Sequence, residues 1–100
     1  MKKIILQQAF KELDDAISYY EDQQAGLGLR LVDEFDQHVS WILSNSDVPR
    51  LRRGVYRRVN LKTFPYYIAY IVREDTVWIL AVAHGHCKPE YWIERKNEII

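Results

Sequence analysis

Residues 52–92 read RRGVYRRVNLKTFPYYIAYIVREDTVWILAVAHGHCKPEYW. Apolar and polar residues alternate across 55–61, and two longer apolar runs follow at 66–72 and 77–84 around the polar segment 73–76. Alternation with a period of two is typical of a half-buried strand, and short connections between strands favour antiparallel pairing. The stretch therefore predicts three strands in an antiparallel meander.

The preceding half of the chain predicts two amphipathic helices, because its apolar residues recur three and four positions apart. The two stripes are Phe10, Leu13, Ile17 and Tyr20, and Leu27, Leu31, Phe35, Val39 and Ile42. The Gly-Leu-Gly at 26–28 interrupts the pattern and favours a tight helical hairpin. With a short strand at 4–6 and a final helical turn or two at 91–100, we expect an α+β fold of order β-α-α-β-β-β. Its helical hairpin would pack on one face of an antiparallel sheet.

The composition predicts one soluble domain spanning residues 1–100. The chain has 100 residues, of which 48% are hydrophobic, enough for one core and too few for a second. Its longest uninterrupted apolar run, 77–83, is too short to cross a bilayer, so we expect no membrane partner. The amino terminus has no signal-peptide apolar region, and the single Cys87 fits a reducing compartment. We therefore expect a cytoplasmic protein.

The charge is balanced overall but not along the chain. Residues 1–50 carry five bases and nine acids, a net of −4, whereas residues 51–100 carry nine bases and five acids, a net of +4. Six cations and no acid fall within residues 50–62. A local basic field attracts nucleic acid or an acidic protein. The alternative is an exposed edge strand, because Lys and Arg commonly protect strand edges.

The His84-Gly85-His86-Cys87 segment has the residue types of a metal site but not enough ligands. A zinc site needs three or four ligands, and the only further histidine is His38, on the second predicted helix. We therefore predict no metal and no other cofactor. His84 ends a strand, where we expect it to satisfy a hydrogen bond.

Several segments together resemble the ParE branch of the RelE/ParE toxin superfamily. They are RRVNLKTFPY at 57–66, Tyr70 in the next strand, AVAHG at 81–85 and PEYW at 89–92, with Tyr19-Tyr20 and the glycine joint at 26–28. The resemblance covers nearly the whole chain. It implies the toxin of a plasmid-stabilisation or toxin–antitoxin pair, inactivated by a cognate antitoxin protein. ParE-like members are associated with poisoning of DNA gyrase, whereas RelE-like members cleave messenger RNA on the ribosome.

One departure from the family and one alternative activity bear on the function. Where the family has one or two arginines after the strand-ending histidine, this chain has His86 and Cys87. Metal-free RNA cleavage needs a base, a cation and an acid at one place. The candidates for such an endoribonuclease are Arg57, Arg58, Lys62, His84, His86 and Tyr91. Because these are residue types without a visible constellation, we expect a non-enzymatic inhibitor. The alternatives are a ribosome-dependent endoribonuclease and a non-toxic relative that only binds antitoxin.

The predicted contacts to antitoxin or target combine the basic strand with the carboxyl-terminal segment. They are Arg52, Arg53, Arg57, Arg58, Lys62, Lys88, Tyr91, Trp92 and Arg95. We expect the segment 86–100 to carry target contact and to contribute little to folding, because it is mostly polar. The alternative is that Trp92 fastens this segment to the sheet. We expect no direct DNA binding without the antitoxin, and we interpret Asp14, Asp33, Glu34 and Asp36 as solvated helix-surface acids.

Overall fold

The order of elements agrees with the prediction. A computed structural model describes residues 1–99, and its elements are β1 (Lys2–Ile5), α1 (Gln7–Gln23), α2 (Leu27–Ser44), β2 (Arg57–Asn60), β3 (Tyr66–Arg73), β4 (Thr76–His84) and a 3-10 helix (Ile93–Glu98). The predicted last helical segment extended to Ile100, which lies outside the described residues. The α+β class and the order β-α-α-β-β-β are confirmed.

The sheet is mixed rather than wholly antiparallel. Its strand order is β1-β4-β3-β2, and β2, β3 and β4 form the predicted antiparallel meander. By contrast, β1 lies parallel to β4, with Lys2 opposite Thr76 and Ile5 opposite Ile79. The helical hairpin brings the chain back to the sheet before β2, so that β1 meets β4 only through a long-range pairing. A strand pattern shows that a segment is extended but does not specify its partner.

The helical hairpin packs on one face of the sheet, as predicted. The α2 stripe of Leu31, Phe35, Val39 and Ile42 is buried. In α1 the buried residues are Ala9, Leu13 and Ala16, whereas Phe10 is 59% exposed. The predicted place of Phe10 in the core was therefore wrong. The two alanines lie four and three residues from Leu13 and define the buried line of α1.

The joint between α1 and α2 depends on two glycines. Gly26 has φ 90°, a left-handed conformation that glycine adopts without steric cost. A Cβ added at Gly28 would lie 2.9 Å from the carbonyl oxygen of Ile17, so this glycine permits close approach of the helices. The Glu21 carboxylate accepts hydrogen bonds from the backbone N–H of Gly26 and of Gly28, each at 3.0 Å at the closest. These bonds satisfy amides at the start of α2 that have no partner within the helix.

The second face of the sheet is covered by the carboxyl-terminal segment. Trp92 is 1% exposed and packs edge-on against Tyr56, with ring centroids 4.6 Å apart. Its Nε1–H donates to the Tyr67 hydroxyl at 3.0 Å, and Ile99 joins the same core. The expectation that this segment contributes little to folding was wrong, since Trp92 and Ile99 are buried on the sheet. Trp92 fastens the segment, as the alternative interpretation held.

Candidate functional site

The basic segment does not present its cations on one surface. Arg57 and Arg58 are neighbours in β2, and successive strand side chains point to opposite faces. The Arg57 guanidinium donates to the carbonyl oxygens of Pro49 at 2.6 Å and Asp47 at 3.2 Å, and so holds the loop before β2. Arg58 lies on the other face, with its guanidinium carbon 4.1 Å from the centroid of the Tyr67 ring. Two of the predicted surface cations, Arg57 and Arg58, therefore make contacts within the protein itself.

Arg53 and Glu90 join the loop before β2 to the segment after β4. Both residues have positive φ, 54° and 58°, and the Arg53 guanidinium donates to the Glu90 carboxylate at 2.7 Å. The same carboxylate accepts from the Tyr56 hydroxyl at 2.5 Å. Burial and the bond to Glu90 raise the pKa of Tyr56 to about 12. The hydrogen bonds from Tyr56 and Arg53 lower the pKa of Glu90 despite some desolvation.

Tyr91 and Arg95 are held by one carboxylate of α1. Glu12 accepts a hydrogen bond from the Tyr91 hydroxyl and two from the Arg95 guanidinium, at 2.9 and 3.1 Å. Arg95 also donates to the Leu80 carbonyl at 3.0 Å. Burial and the bond to Glu12 raise the pKa of Tyr91, so its hydroxyl stays protonated at neutral pH. These three side chains hold the carboxyl-terminal segment in place.

A cationic groove lies between β2 and the loop after β4. We define it by Arg58, Asn60, Lys62, Tyr66 and His86, around a cavity of about 440 Å³. Arg58 Nε is buried and has no hydrogen-bond partner among residues 1–99. Of the six endoribonuclease candidates, the groove thus collects three, Arg58, Lys62 and His86. Arg57 and Tyr91 are bonded elsewhere.

His84 stands next to this groove and is satisfied as predicted. Its Nδ1 accepts from the backbone N–H of His86 at 3.0 Å, and the two imidazole centroids are 5.0 Å apart. The ring also packs edge-on against Tyr66. Lys88 and Cys87 lie in the exposed turn that follows. The structure therefore places the His-Gly-His-Cys segment at the rim of the cationic groove.

Glu34 has a structural role that the sequence interpretation missed. Instead of being only solvated, its carboxylate accepts from the backbone N–H of Lys62 at 2.7 Å and of Thr63 at 3.0 Å. Partial burial favours the neutral acid, but the bonds from Thr63 and Lys62 outweigh it and lower the pKa of Glu34. The loop that carries Lys62 is therefore positioned by α2. The sequence around Glu34 gives no signal for this contact, because Lys62 lies 28 residues further along the chain.

A second groove, the α2 groove, runs between α2 and the outer strand β2. Its lining includes Gln37, His38, Trp41, Val59 and Lys62, around a cavity of about 420 Å³. Trp41 is 42% exposed, and β2 is the last strand of the sheet, so that its outer edge is unpaired. Sequence reasoning did not select Trp41. An exposed tryptophan beside an open strand edge is a feature of protein-binding surfaces.

Comparison with known proteins connects this geometry to a family. A family profile described as "ParE toxin of type II toxin-antitoxin system, parDE" matches residues 4–88. Toxin ParE2 of two Mycobacterium tuberculosis strains, CDC 1551 / Oshkosh and ATCC 25618 / H37Rv, is 33% identical over an alignment of 81 residues. The alignment covers 78% of this chain and 75% of the relative.

A solved chain described as "Chromosomal ParDE TA system from P. aeruginosa" superposes with a TM-score of 0.73 at 18% identity. The superposition covers 84% of this chain and 95% of that one, and it concerns the fold alone.

The helical hairpin on a mixed sheet and the family match together define a small toxin of the toxin–antitoxin class. The chain belongs to the ParE toxin family of type II toxin–antitoxin systems. The predicted resemblance and the predicted toxin role are confirmed. Within residues 1–99, none of the helices has the length and apolar character needed to cross a membrane.

Proposed function

We propose that this toxin acts by binding a target protein, such as DNA gyrase, rather than by cutting RNA. The supporting observation is that two of the six endoribonuclease candidates, Arg57 and Tyr91, are engaged in structural contacts. Tyr91 is bound to Glu12, and Arg57 is bound to two backbone carbonyls. General acid–base catalysis needs these groups close to the reacting atoms.

The antitoxin is proposed to dock in the α2 groove with an amphipathic segment that carries acidic residues. Trp41 supplies a half-exposed aromatic anchor, and Lys62 and His38 supply positive or titratable neighbours. Helix-in-groove binding combines such an anchor with complementary charge at the rim. Tryptophan is among the residues that dominate binding energy when a partner buries them.

Co-purification with the product of the adjacent reading frame tests the pairing. Trp41→Ala is expected to weaken antitoxin binding at least about tenfold, as for a hot-spot residue. The matched control is Leu29→Ala, because Leu29 is 64% exposed on the same helix and does not line the groove. Equal losses in the two variants, or no co-elution of the wild-type pair, would contradict the proposed docking site.

Two activity assays separate the possible modes of action. We expect the purified toxin to inhibit gyrase supercoiling and to leave messenger RNA intact with or without ribosomes. The cationic groove favours one second candidate, a ribosome-dependent endoribonuclease, since it brings Arg58, Lys62 and His86 together. Ribosome-dependent cutting that Arg58→Ala abolishes would establish that candidate. A chain that binds antitoxin but inhibits neither growth nor gyrase would be a non-toxic relative.

A further inference from the structure

A third groove, which we call the edge groove, lies where the ladder between β2 and β3 stops. The last pair of that ladder is Arg57 opposite Tyr70, although β3 continues to Arg73. Residues 52–56 form a turn closed by an Arg52–Tyr56 bridge and do not continue β2. The groove has a volume of about 670 Å³ and is lined by Leu51, Val55, Val72, Arg73, Lys96 and Ile99, among others.

The floor of the edge groove contains an open strand edge. Successive residues of a strand direct their backbone groups to opposite sides. The Tyr66 carbonyl faces β2, because it accepts from the Leu61 N–H at 2.9 Å. Val72, six residues further along β3, therefore directs its N–H and C=O to that same side, beyond the end of β2. Its side chain is 37% exposed.

The charge and the apolar content of the edge groove define what it can bind. Among residues 1–99, its lining contains the cations Arg57, Arg73 and Lys96 and no carboxylate. Within residues 1–99, neither Arg73 nor Lys96 forms an ion pair. An extended peptide that pairs with a strand edge gains main-chain hydrogen bonds, and pockets for alternate side chains give it specificity.

We propose that the edge groove binds an extended, acidic segment of a partner protein, which adds a short strand to β3 at Val72. Apolar side chains on one side of the segment would contact Leu51, Val55 and Ile99, and acidic ones would face Arg73 and Lys96. A nucleic acid strand fits less well, because the aromatic ring in the lining, Tyr70, is fully buried and offers no stacking surface. This site shares no lining residue with the α2 groove and does not depend on the antitoxin proposal.

Binding of a defined probe to the purified chain tests the proposal. The probe is a fluorescein-labelled hexapeptide of alternating glutamate and valine, read by fluorescence polarisation. We expect saturable binding that Arg73→Glu and Lys96→Glu each weaken at least fivefold. Arg30→Glu is the control, since Arg30 is an exposed cation on α2 that does not line the groove. A peptide of alternating lysine and valine should not bind.

The main-chain contact is tested on the peptide, so that the protein fold is left unchanged. N-methylation of alternate peptide amides removes hydrogen bonds between the peptide and β3. Either the odd-numbered or the even-numbered amides can be methylated, and we expect one of these two patterns to weaken binding at least tenfold. Amide exchange at Val72 should slow when the unmethylated peptide binds.

Four results would overturn the proposal. The first is no binding of the acidic peptide, and the second is equal binding of the lysine peptide. The third is protection of the Val72 amide by self-association of the chain and not by the peptide. The fourth is an oligonucleotide that binds through Arg73 and Lys96 while the acidic peptide does not.

Discussion

Glu12 and Arg95 complete the hydrogen-bond ladder of β4 where β1 ends. β1 pairs with β4 only as far as Ile79, so within residues 1–99 the next backbone groups of β4 on that side lack a strand partner. The Glu12 carboxylate accepts from the Val82 N–H at 3.1 Å, and the Arg95 guanidinium donates to the Leu80 carbonyl at 3.0 Å. The two side chains also bind each other at 2.9 Å. An ion pair thus takes the place of a strand.

Removing Arg95 is expected to destabilise the fold by about 2 kcal/mol, because it leaves Glu12 and the Leu80 carbonyl without donors. Both side chains of the pair are about one-fifth exposed, so the effect should fall short of a fully buried pair. Urea unfolding of Arg95→Ala measures it. The control is Lys11→Ala in α1, the helix that carries Glu12. It removes the exposed Lys11–Asp15 pair and should cost less than about 0.5 kcal/mol. Similar losses in the two variants would contradict the structural role.

Replacing Trp92 should cost more than any other single change in the carboxyl-terminal segment. Trp92→Ala removes a buried indole between Tyr56 and Tyr67 and is expected to cost about 3–5 kcal/mol. Trp92→Phe keeps a ring but loses the Nε1–H donor to Tyr67, so we expect a smaller loss of about 1 kcal/mol beyond the change in packing. Thermal unfolding measures both variants. Trp41→Ala provides the exposed comparison, and a drop in melting temperature as large as that of Trp92→Ala would refute the assignment of Trp92 to the core.

Gly28→Ala should strain the helical hairpin. The new methyl group would lie 2.9 Å from the Ile17 carbonyl oxygen and 3.0 Å from Glu21 Oε1, so α1 and α2 would have to separate. We expect a loss of about 1–3 kcal/mol, as for overpacking of a core. Gly85→Ala is the matched substitution and should be nearly neutral, since among the described residues its methyl group would meet only the Pro65 oxygen, at 3.5 Å. Chemical denaturation of the two variants provides the test, and a neutral Gly28→Ala would show that the joint tolerates a wider spacing.

Acid should weaken the contact between Glu34 and the loop at Lys62 and Thr63. The pKa of Glu34 is lowered in the native state, whereas an unfolded glutamate titrates near about 4.3. The stabilisation is therefore fully present above that value and is lost as the pH falls through the lower native pKa. Glu34→Gln should be less stable at pH 7 and should depend less steeply on pH between about 5 and 3. Asp36→Asn, at an exposed position on the same helix, is the control. Parallel stability profiles for wild type and Glu34→Gln would contradict this expectation.

The sequence predicted those parts of the fold that depend on local periodicity. The α2 stripe ending at Ile42 and the meander of β2, β3 and β4 follow from spacings of 3.6 and two residues, and both are confirmed. Phe10 was misplaced because two alanines carry the buried line of α1, and small residues give a weak hydrophobic signal. The apolar residues Trp92 and Ile99 lie in a polar segment, and nothing local indicates the rings on which Trp92 packs.

The candidate site was less accessible to sequence reasoning than the fold. Cations along β2 suggested one basic surface, but the alternation of the strand sends Arg57 and Arg58 to opposite faces. Tyr91 and Arg95 both bind Glu12, about 80 residues earlier, which the sequence did not indicate, and their predicted contact with a partner stays a prediction. Such pairings depend on tertiary contacts between segments that are far apart in the sequence. Which surface binds antitoxin and which binds a target remains a prediction for the experiments above.

The parallel pairing of β1 with β4 affects the order in which the protein can fold during synthesis. Residues 2–5 can pair with the sheet only after residues 76–79 have been synthesised. The second face of the sheet is covered only after Trp92 has been synthesised. Contacts between distant parts of a chain slow folding, because a long loop must close before they form. During translation, the segments of α1 and α2 are therefore synthesised before the sheet on which they pack is complete. Of the three grooves, the edge groove is completed last, because Lys96, Asn97 and Ile99 line it, whereas the lining of the α2 groove ends at Lys62.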